Sequence, residues 1–135
     1  FENYQKKLNW KLSLKEIEPK ISKNFEVDKK KELEADLILK SLSSNSKIIA
    51  LDERGKQFSS KDFSKLIADF GVTGDSNLTF IIGGADGLSQ RVLEKSSLTI
   101  SLSKMTFPHL FVRSILVEQI YRASSIISNH PYHRE

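Results

Sequence analysis

Two rhythms of apolar residues run along this chain, one with a period near two in short runs and one near 3.6 in longer ones. Lys47-Ile-Ile-Ala-Leu-Asp52 and Leu78-Thr-Phe-Ile-Ile82 are nearly unbroken apolar runs, the pattern of strands buried on both faces. The first ends in an acid followed by Glu53-Arg-Gly55, which predicts a loop at the strand's carboxyl end. Leu98 to Leu102 predicts a third strand. Helical spacing fills the intervals. From Val27 to Leu42, Leu33, Leu37, Ile38 and Leu42 share a face, with Lys29, Lys30, Lys31 and Glu32 as a solvated entry side or a phosphate contact. Phe63, Leu66, Ile67 and Phe70 mark a helix capped by Ser59 or Ser60 and stopped by Gly71. A short helix is predicted from Leu88 to Glu94 and a long one from Leu110 to Ser128, covered by Phe111, Ile115, Ile120, Tyr121, Ile126 and Ile127. Near the start, Phe1 to Leu8 reads as a helix end, and Trp10, Leu12 and Leu14 as a half-buried strand before Pro19.

Strands alternating with helices predict an α/β fold with a mostly parallel sheet, helices on both faces, and ligands bound outside the carboxyl ends of the strands. A length of 135 residues fits a single domain spanning residues 1–135. The opening Phe1-Glu-Asn-Tyr-Gln is not an initiation sequence, so residues upstream are expected to be missing. No apolar run approaches the roughly 18 to 20 residues of a membrane span, and no signal-peptide pattern opens the chain, which leaves the cytoplasm as the default location. Cysteine is absent, which excludes disulfides, thiolate zinc sites and a cysteine nucleophile. A net charge of +4 fits a polyanionic partner without requiring one.

Candidate chemistry gathers in the last third. In Ile81-Ile-Gly-Gly-Ala-Asp-Gly87, Gly83, Gly84 and Gly87 sit where a strand ends and a helix begins, so a ligand can approach backbone N–H groups with no Cβ in the way. The order G-G-x-x-G is neither the dinucleotide fingerprint nor a P-loop, and a tight structural turn explains it equally well. Leu102-Ser-Lys-Met-Thr-Phe-Pro-His109 is a compact polar loop after an apolar strand, suited to presenting backbone donors and acceptors to a heterocycle. Pro108 suits the start of the helix that follows. Arg113 and Arg122 interrupt the apolar cover of that helix, either as exposed side chains or in a functional role. The tail Asn129-His-Pro-Tyr-His-Arg-Glu135 packs His130, Tyr132, His133 and Arg134 together, an active-site composition that a frayed chain end would also permit. Its histidines lack acidic or cysteine partners at ligand spacing, so no metal site is expected.

These motifs, IIGGADGL (81–88), LSKMTFPH (102–109), VEQIYRA (117–123) and NHPYHRE (129–135), resemble the RlmH family of SPOUT-class methyltransferases, which modify a pseudouridine at N3 in large-subunit ribosomal RNA. The resemblance covers nearly the whole chain, but the family's first strand is missing at the start. It implies a deep C-terminal trefoil knot, one of the rare exceptions to unknotted topology. It further implies a homodimer that buries the last helix, and S-adenosylmethionine bound in the knot by Leu51, Gly83, Gly84, Leu102, Ser103, Lys104, Met105, Thr106 and Phe107.

On that resemblance the substrate is ribosomal RNA within the assembled ribosome, and neither metal nor membrane takes part. The cofactor supplies the activated methyl group, and the imide nitrogen must lose its proton. The implied catalytic residues are His109, Arg122, Tyr132, His133 and Arg134: His109 or His133 accepts the proton, the arginines (with Arg113) hold phosphate or the developing charge, and Tyr132 stacks on the base. The tail is expected to order when substrate arrives, completing a site whose cofactor belongs to the other subunit. The rival readings are a non-catalytic RNA- or ribosome-binding module and an enzyme of the same fold acting on another RNA base.

Overall fold

The computed structural model describes residues 27–42, 47–72, 77–83, 87–129 and 132–133. The helix end expected at Phe1 to Leu8 and the strand at Trp10 to Leu14 lie outside them. In chain order the elements are α1 (Val27–Ser41), β1 (Lys47–Gln57), α2 (Ser60–Val72), β2 (Leu78–Ile82), α3 (Gln90–Lys95), β3 (Leu98–Ser101) and α4 (His109–Ile127). The α/β alternation is as the periodicities indicate, and among the described residues the three strands form one parallel sheet in the order β2-β1-β3.

The composition of β1 requires cover on both of its faces. Side chains alternate across a strand, so Ile48-Ile-Ala-Leu51 divides between two faces, and both are apolar. Ile49 and Leu51 join Phe63 and Ile67 of α2, Ile100 of β3, and Leu116, Ile120 and Ala123 of α4 in one core. Ala50 faces the other way and, with Ile81, meets Ala35 and Ile38 of α1, Leu88, and Val92 of α3. Ile49 and Ala50 are fully buried. The chain steps from β1 to β2 through α2 on one face, then crosses back over β1 to β3 through α3 on the other. That reversal is what covers both faces of a parallel sheet.

Local chemistry sets the ends of the helices. The Ser59 hydroxyl accepts from the Asp62 N–H at 3.0 Å and its carbonyl from the Phe63 N–H at 2.9 Å, so Ser59 is the cap of α2. At its other end α2 runs past Gly71 to Val72, because a glycine in the last turn weakens a helix by about 1 kcal/mol without breaking it. Ser89 caps α3, accepting from the Arg91 N–H at 3.2 Å while donating to Glu32 Oε1 of α1 at 2.7 Å. Arg91 then bridges Glu32 and Asp36, each at 2.8 Å, tying α3 across α1. Pro108 precedes α4, and its carbonyl accepts from the N–H groups of Phe111 and Val112.

The segment after Asp52 does not open into a loop. It stays within β1 as a large bulge: Ile100 pairs first with Leu51 and again with Lys56, so residues 52–55 arch out between two stretches of the same ladder. Gly55 makes the return possible. A Cβ there would lie 2.6 Å from the Thr99 carbonyl oxygen and 2.7 Å from the Ile100 carbonyl carbon, both backbone atoms. Gly55→Ala is therefore expected to destabilise the fold by about 2 to 3 kcal/mol through overpacking. Urea denaturation checks this, and a loss below about 0.5 kcal/mol would mean the strands part freely at this point.

Candidate functional site

The carboxyl ends of β1 and β3 and the flanking helices α2 and α4 enclose a cavity of about 300 Å³. Its floor is apolar, made by Leu51, Phe63, Phe80 and Ile100. Polar groups stand on the walls: Ser59 and Ser60 at the start of α2, Ser101 and Ser103 after β3, and Gln119 on α4. An apolar cleft with a few convergent polar groups is the usual form of a small-molecule site.

The loop after β3 is compact for a stated reason. The Ser101 hydroxyl donates to the Ser103 carbonyl at 3.0 Å, and the Ser103 hydroxyl accepts from the Met105 N–H at 3.0 Å, a serine turn that folds the segment on itself. Leu102, Ser103 and Phe107 thereby face the cavity, while Lys104, Met105 and Thr106 are exposed on its lip, Met105 at 71%.

On the other face of the sheet, the glycine turn is clasped to the bulge of β1. The Asp52 side chain, only 2% exposed, takes the Arg54 side chain at 2.8 and 3.0 Å, the Arg54 N–H at 3.0 Å and the Leu88 N–H at 3.3 Å. Arg54 completes the loop by donating to the Leu88 carbonyl at 3.0 Å. Gly83 packs against Leu88 so closely that a Cβ would come within 2.9 Å of its side chain, and Gly87 has a φ of 82°, in the left-handed region. Gly83 thus does structural work at this clasp and is not among the cavity-lining residues; Gly84 lies outside the described residues.

A third group of residues is built on α4. Asn129, with a φ of 60°, ends the helix in the left-handed conformation, after which Tyr132 and His133 lie against the helix. The Tyr132 ring meets Tyr121 edge-on at 4.6 Å, with the Arg122 guanidinium 4.9 Å from its centroid. Glu118 Oε1 accepts from Arg122 Nε at 3.0 Å, Arg122 Nη2 at 2.7 Å and the Tyr132 hydroxyl at 3.1 Å. Arg122 Nη1 lies 3.0 Å from His133 Nδ1. A guanidinium only donates, so Nδ1 accepts and the ring proton sits on Nε2. The sequence left this tail either frayed or ordered by substrate, whereas contacts within the chain dock Tyr132 and His133.

Of the expected site residues, Leu51, Leu102, Ser103 and Phe107 come together at the cavity, and Arg122, Tyr132 and His133 come together on α4. His109 opens α4 beside the loop, but its side chain, like Arg134, is outside the described residues. Sequence reasoning missed Phe58, Phe80, Ile115 and Gln119 at the cavity and Glu118 in the cluster on α4, and read Ser59, Ser60 and Phe63 only as cap and core. Glu118 stands four residues before Arg122, a spacing that pairs them on one helix face and was the available signal. Among the described residues, no group of three or more His, Cys, Asp or Glu is placed to hold a metal ion, and no helix is long and apolar enough to cross a membrane.

Arg54 hydrogen bonding outweighs burial and, with the two backbone N–H groups, holds the Asp52 carboxyl down to about 2. A folded pKa below the unfolded value near 3.8 means the clasp's stabilisation is present above about pH 4 and is lost as pH falls through about 2. Asp52→Asn should therefore lower stability by about 1 to 2 kcal/mol at pH 7, the exposed Arg54 side chain limiting the amount. The gap from wild type should narrow between pH 4 and pH 2, as checked by urea denaturation at each pH; a gap independent of pH would rule out the carboxylate as its source.

Comparison with known proteins places these features in a family. A family model described as "Predicted SPOUT methyltransferase" matches residues 1–133. A protein of Rhodospirillum centenum named "Ribosomal RNA large subunit methyltransferase H" is 41% identical over 134 residues, covering 99% of this chain and 87% of that protein. Proteins with the same name from Clostridium tetani and Clostridium botulinum are 52% and 50% identical over 104 residues, covering 77% of this chain and 65% of each relative.

Proposed function

The chain belongs to the SPOUT methyltransferase family, and we propose that it transfers a methyl group from S-adenosylmethionine to N3 of a pseudouridine in large-subunit ribosomal RNA. The observation that carries this reading is the junction of two features within α4. Its middle turns, through Ile115, Leu116 and Gln119, join the preceding loop in walling an apolar cavity, while Glu118 and Arg122 of the same helix hold Tyr132 and His133.

The cavity fits the methyl donor. A volume of about 300 Å³ at the end of a parallel sheet, with Phe63 and Phe80 on the floor and serine hydroxyls on the walls, suits a purine nucleoside with a short polar chain. Leu51, Leu102, Ser103 and Phe107 would hold it, with Lys104, Met105 and Thr106 closing over the lip. Once bound, the cofactor supplies an electrophilic methyl group on a sulfonium, so the chain's own task is to orient the acceptor and manage one proton.

The cluster on α4 divides those roles. Arg122 spends Nε and Nη2 on Glu118 and Nη1 on His133, so it positions the tail. His133 Nδ1 takes the Arg122 bond and Nε2 is buried, so neither ring nitrogen is open to accept a proton in this arrangement. The role of accepting the imide proton then falls to His109 at the start of α4, beside the cavity loop. Tyr132 and Arg134 are the residues we assign to RNA, since ring stacking and a guanidinium suit a base and a phosphate.

A second copy of the chain completes the assembly. Leu110 and Phe111 in the first turn of α4 are 60% and 61% exposed, an apolar pair that the homodimer would bury. Phe111→Asp should shift the protein toward monomer in sedimentation velocity.

Methylation is tested with large ribosomal subunits from a strain lacking the gene, reading N3-methylpseudouridine by mass spectrometry. Deleting Tyr132 to Glu135 should abolish transfer while leaving cofactor affinity within about threefold, and equal loss of both would count against a substrate-side role for the tail. His109→Ala should lower kcat about 100-fold and flatten the rise of activity with pH, whereas His133→Ala should retain the shape of the wild-type profile. The reverse pattern would reassign the proton acceptor.

A further inference from the structure

Two polar side chains on the cavity wall belong to a hydrogen-bond chain that leaves the cavity and ends at the tail. The Ser60 hydroxyl donates to Gln119 Oε1 at 2.7 Å, and Gln119 Nε2 donates to Glu118 Oε2 at 2.7 Å. A carboxylate cannot donate, so the amide nitrogen must face Glu118 and the amide oxygen must face Ser60. The chain continues on the other carboxylate oxygen, where Arg122 and Tyr132 meet Glu118 Oε1, and passes from Arg122 to His133. Ser60 and Gln119 line the cavity; Glu118, Arg122, Tyr132 and His133 do not.

The Gln119 to Glu118 bond is unusual for its position. Neighbouring residues on a helix point about 100° apart and do not normally face each other, so both side chains must bend along the helix surface to meet. Glu118 and Arg122, by contrast, are a common pair four residues apart, and would form without Gln119. What the amide adds is direction: with Oε2 fixed toward the cavity, Oε1 is left to gather both Arg122 nitrogens and the Tyr132 hydroxyl. With Glu118 and Arg122 side chains only 20% and 24% exposed, water is a limited substitute for that fourth donor.

We infer that Gln119 is a positioning residue that couples the methyl-donor cavity to the substrate-facing tail, setting the orientation of Glu118 and through it the placement of Arg122, Tyr132 and His133. This rests on the reading of the cavity and tail as donor and acceptor sides of one methyltransferase. A molecule bound against Ser60 and Gln119 fixes the amide further, so donor binding tightens the tail; a substitution that breaks the chain separates the two events.

The test uses the full chain carrying 3-fluorotyrosine, with the Tyr132 resonance identified from Tyr132→Phe and melting curves confirming that each variant is folded. In wild type this resonance should be displaced from that of free fluorotyrosine by the Tyr121 ring and should move on adding S-adenosylmethionine. In Gln119→Met the displacement should fall by at least about half and the response to cofactor should vanish, with Ser60→Ala showing a smaller change in the same direction. Kinetically, Gln119→Met should lose about tenfold in kcat while the KM for cofactor changes less than about threefold.

Gln119→Glu gives a signature that loss of packing would not. Two adjacent carboxylates share a proton as pH falls, which restores a donor toward Glu118, so the ratio of variant to wild-type kcat should rise with acidity, while that of Gln119→Met stays flat. An unchanged Tyr132 resonance in Gln119→Met, or a loss confined to the KM for cofactor, would overturn the coupling and reduce Gln119 to cavity wall. Failure of wild type to bind S-adenosylmethionine or to methylate would instead overturn the proposed function, and the resonance comparison without cofactor would still decide the role of Gln119.

Discussion

Double-sided burial of β1 is the constraint on which the other features depend. Ile49 and Leu51 anchor one apolar layer and Ala50 the other, and both neighbouring strands pair with this one strand. A strand with two apolar faces needs helices over both sides of the sheet, and pairing with β2 and β3 satisfies its backbone along both edges. The same strand delivers Leu51 to the cavity on one face and Asp52 to the clasp on the other, one residue apart and therefore on opposite sides.

That parity divides the labour at the carboxyl end of the sheet. On the α2 and α4 side, Leu51, Phe63 and Ile100 line an apolar pocket. On the α1 and α3 side the space is closed by Leu88, whose backbone is held at both its N–H and its carbonyl by Asp52 and Arg54. At the two ends of the glycine turn, Gly83 packs on Leu88 and Gly87 takes a positive φ.

The long helix joins what the sheet separates. Ile115, Leu116 and Gln119 wall the cavity, and the interleaved Glu118 with Arg122 receives the returning tail once Asn129 has turned the chain back. Charge is used sparingly here: one carboxylate collects four donors, and one guanidinium spans the carboxylate and an imidazole. Members of such a network constrain one another's orientation, which gives a neutral residue such as Gln119 influence over charged ones.

Much of this was legible in the sequence, since strands and helices announce themselves through apolar spacing and the motifs at 81–88, 102–109 and 129–135 mark the loops and tail. The apolar run from Ile48 to Leu51 already required a strand covered on both faces, and the absence of cysteine already excluded thiolate chemistry. Pattern alone, however, reads each residue against its neighbours in the chain. It took Glu53-Arg-Gly55 for a loop, because the second pairing with Ile100 comes from a strand more than forty residues away. It took Ser60 for a cap and passed over Gln119 and Glu118, because their meaning lies in bonds that cross from α2 to α4 and from α4 to the tail. Residue types and their local spacing determined which elements form and which chemistry is on hand; only the tertiary structure, by bringing distant side chains within hydrogen-bond reach, decided which of them act together.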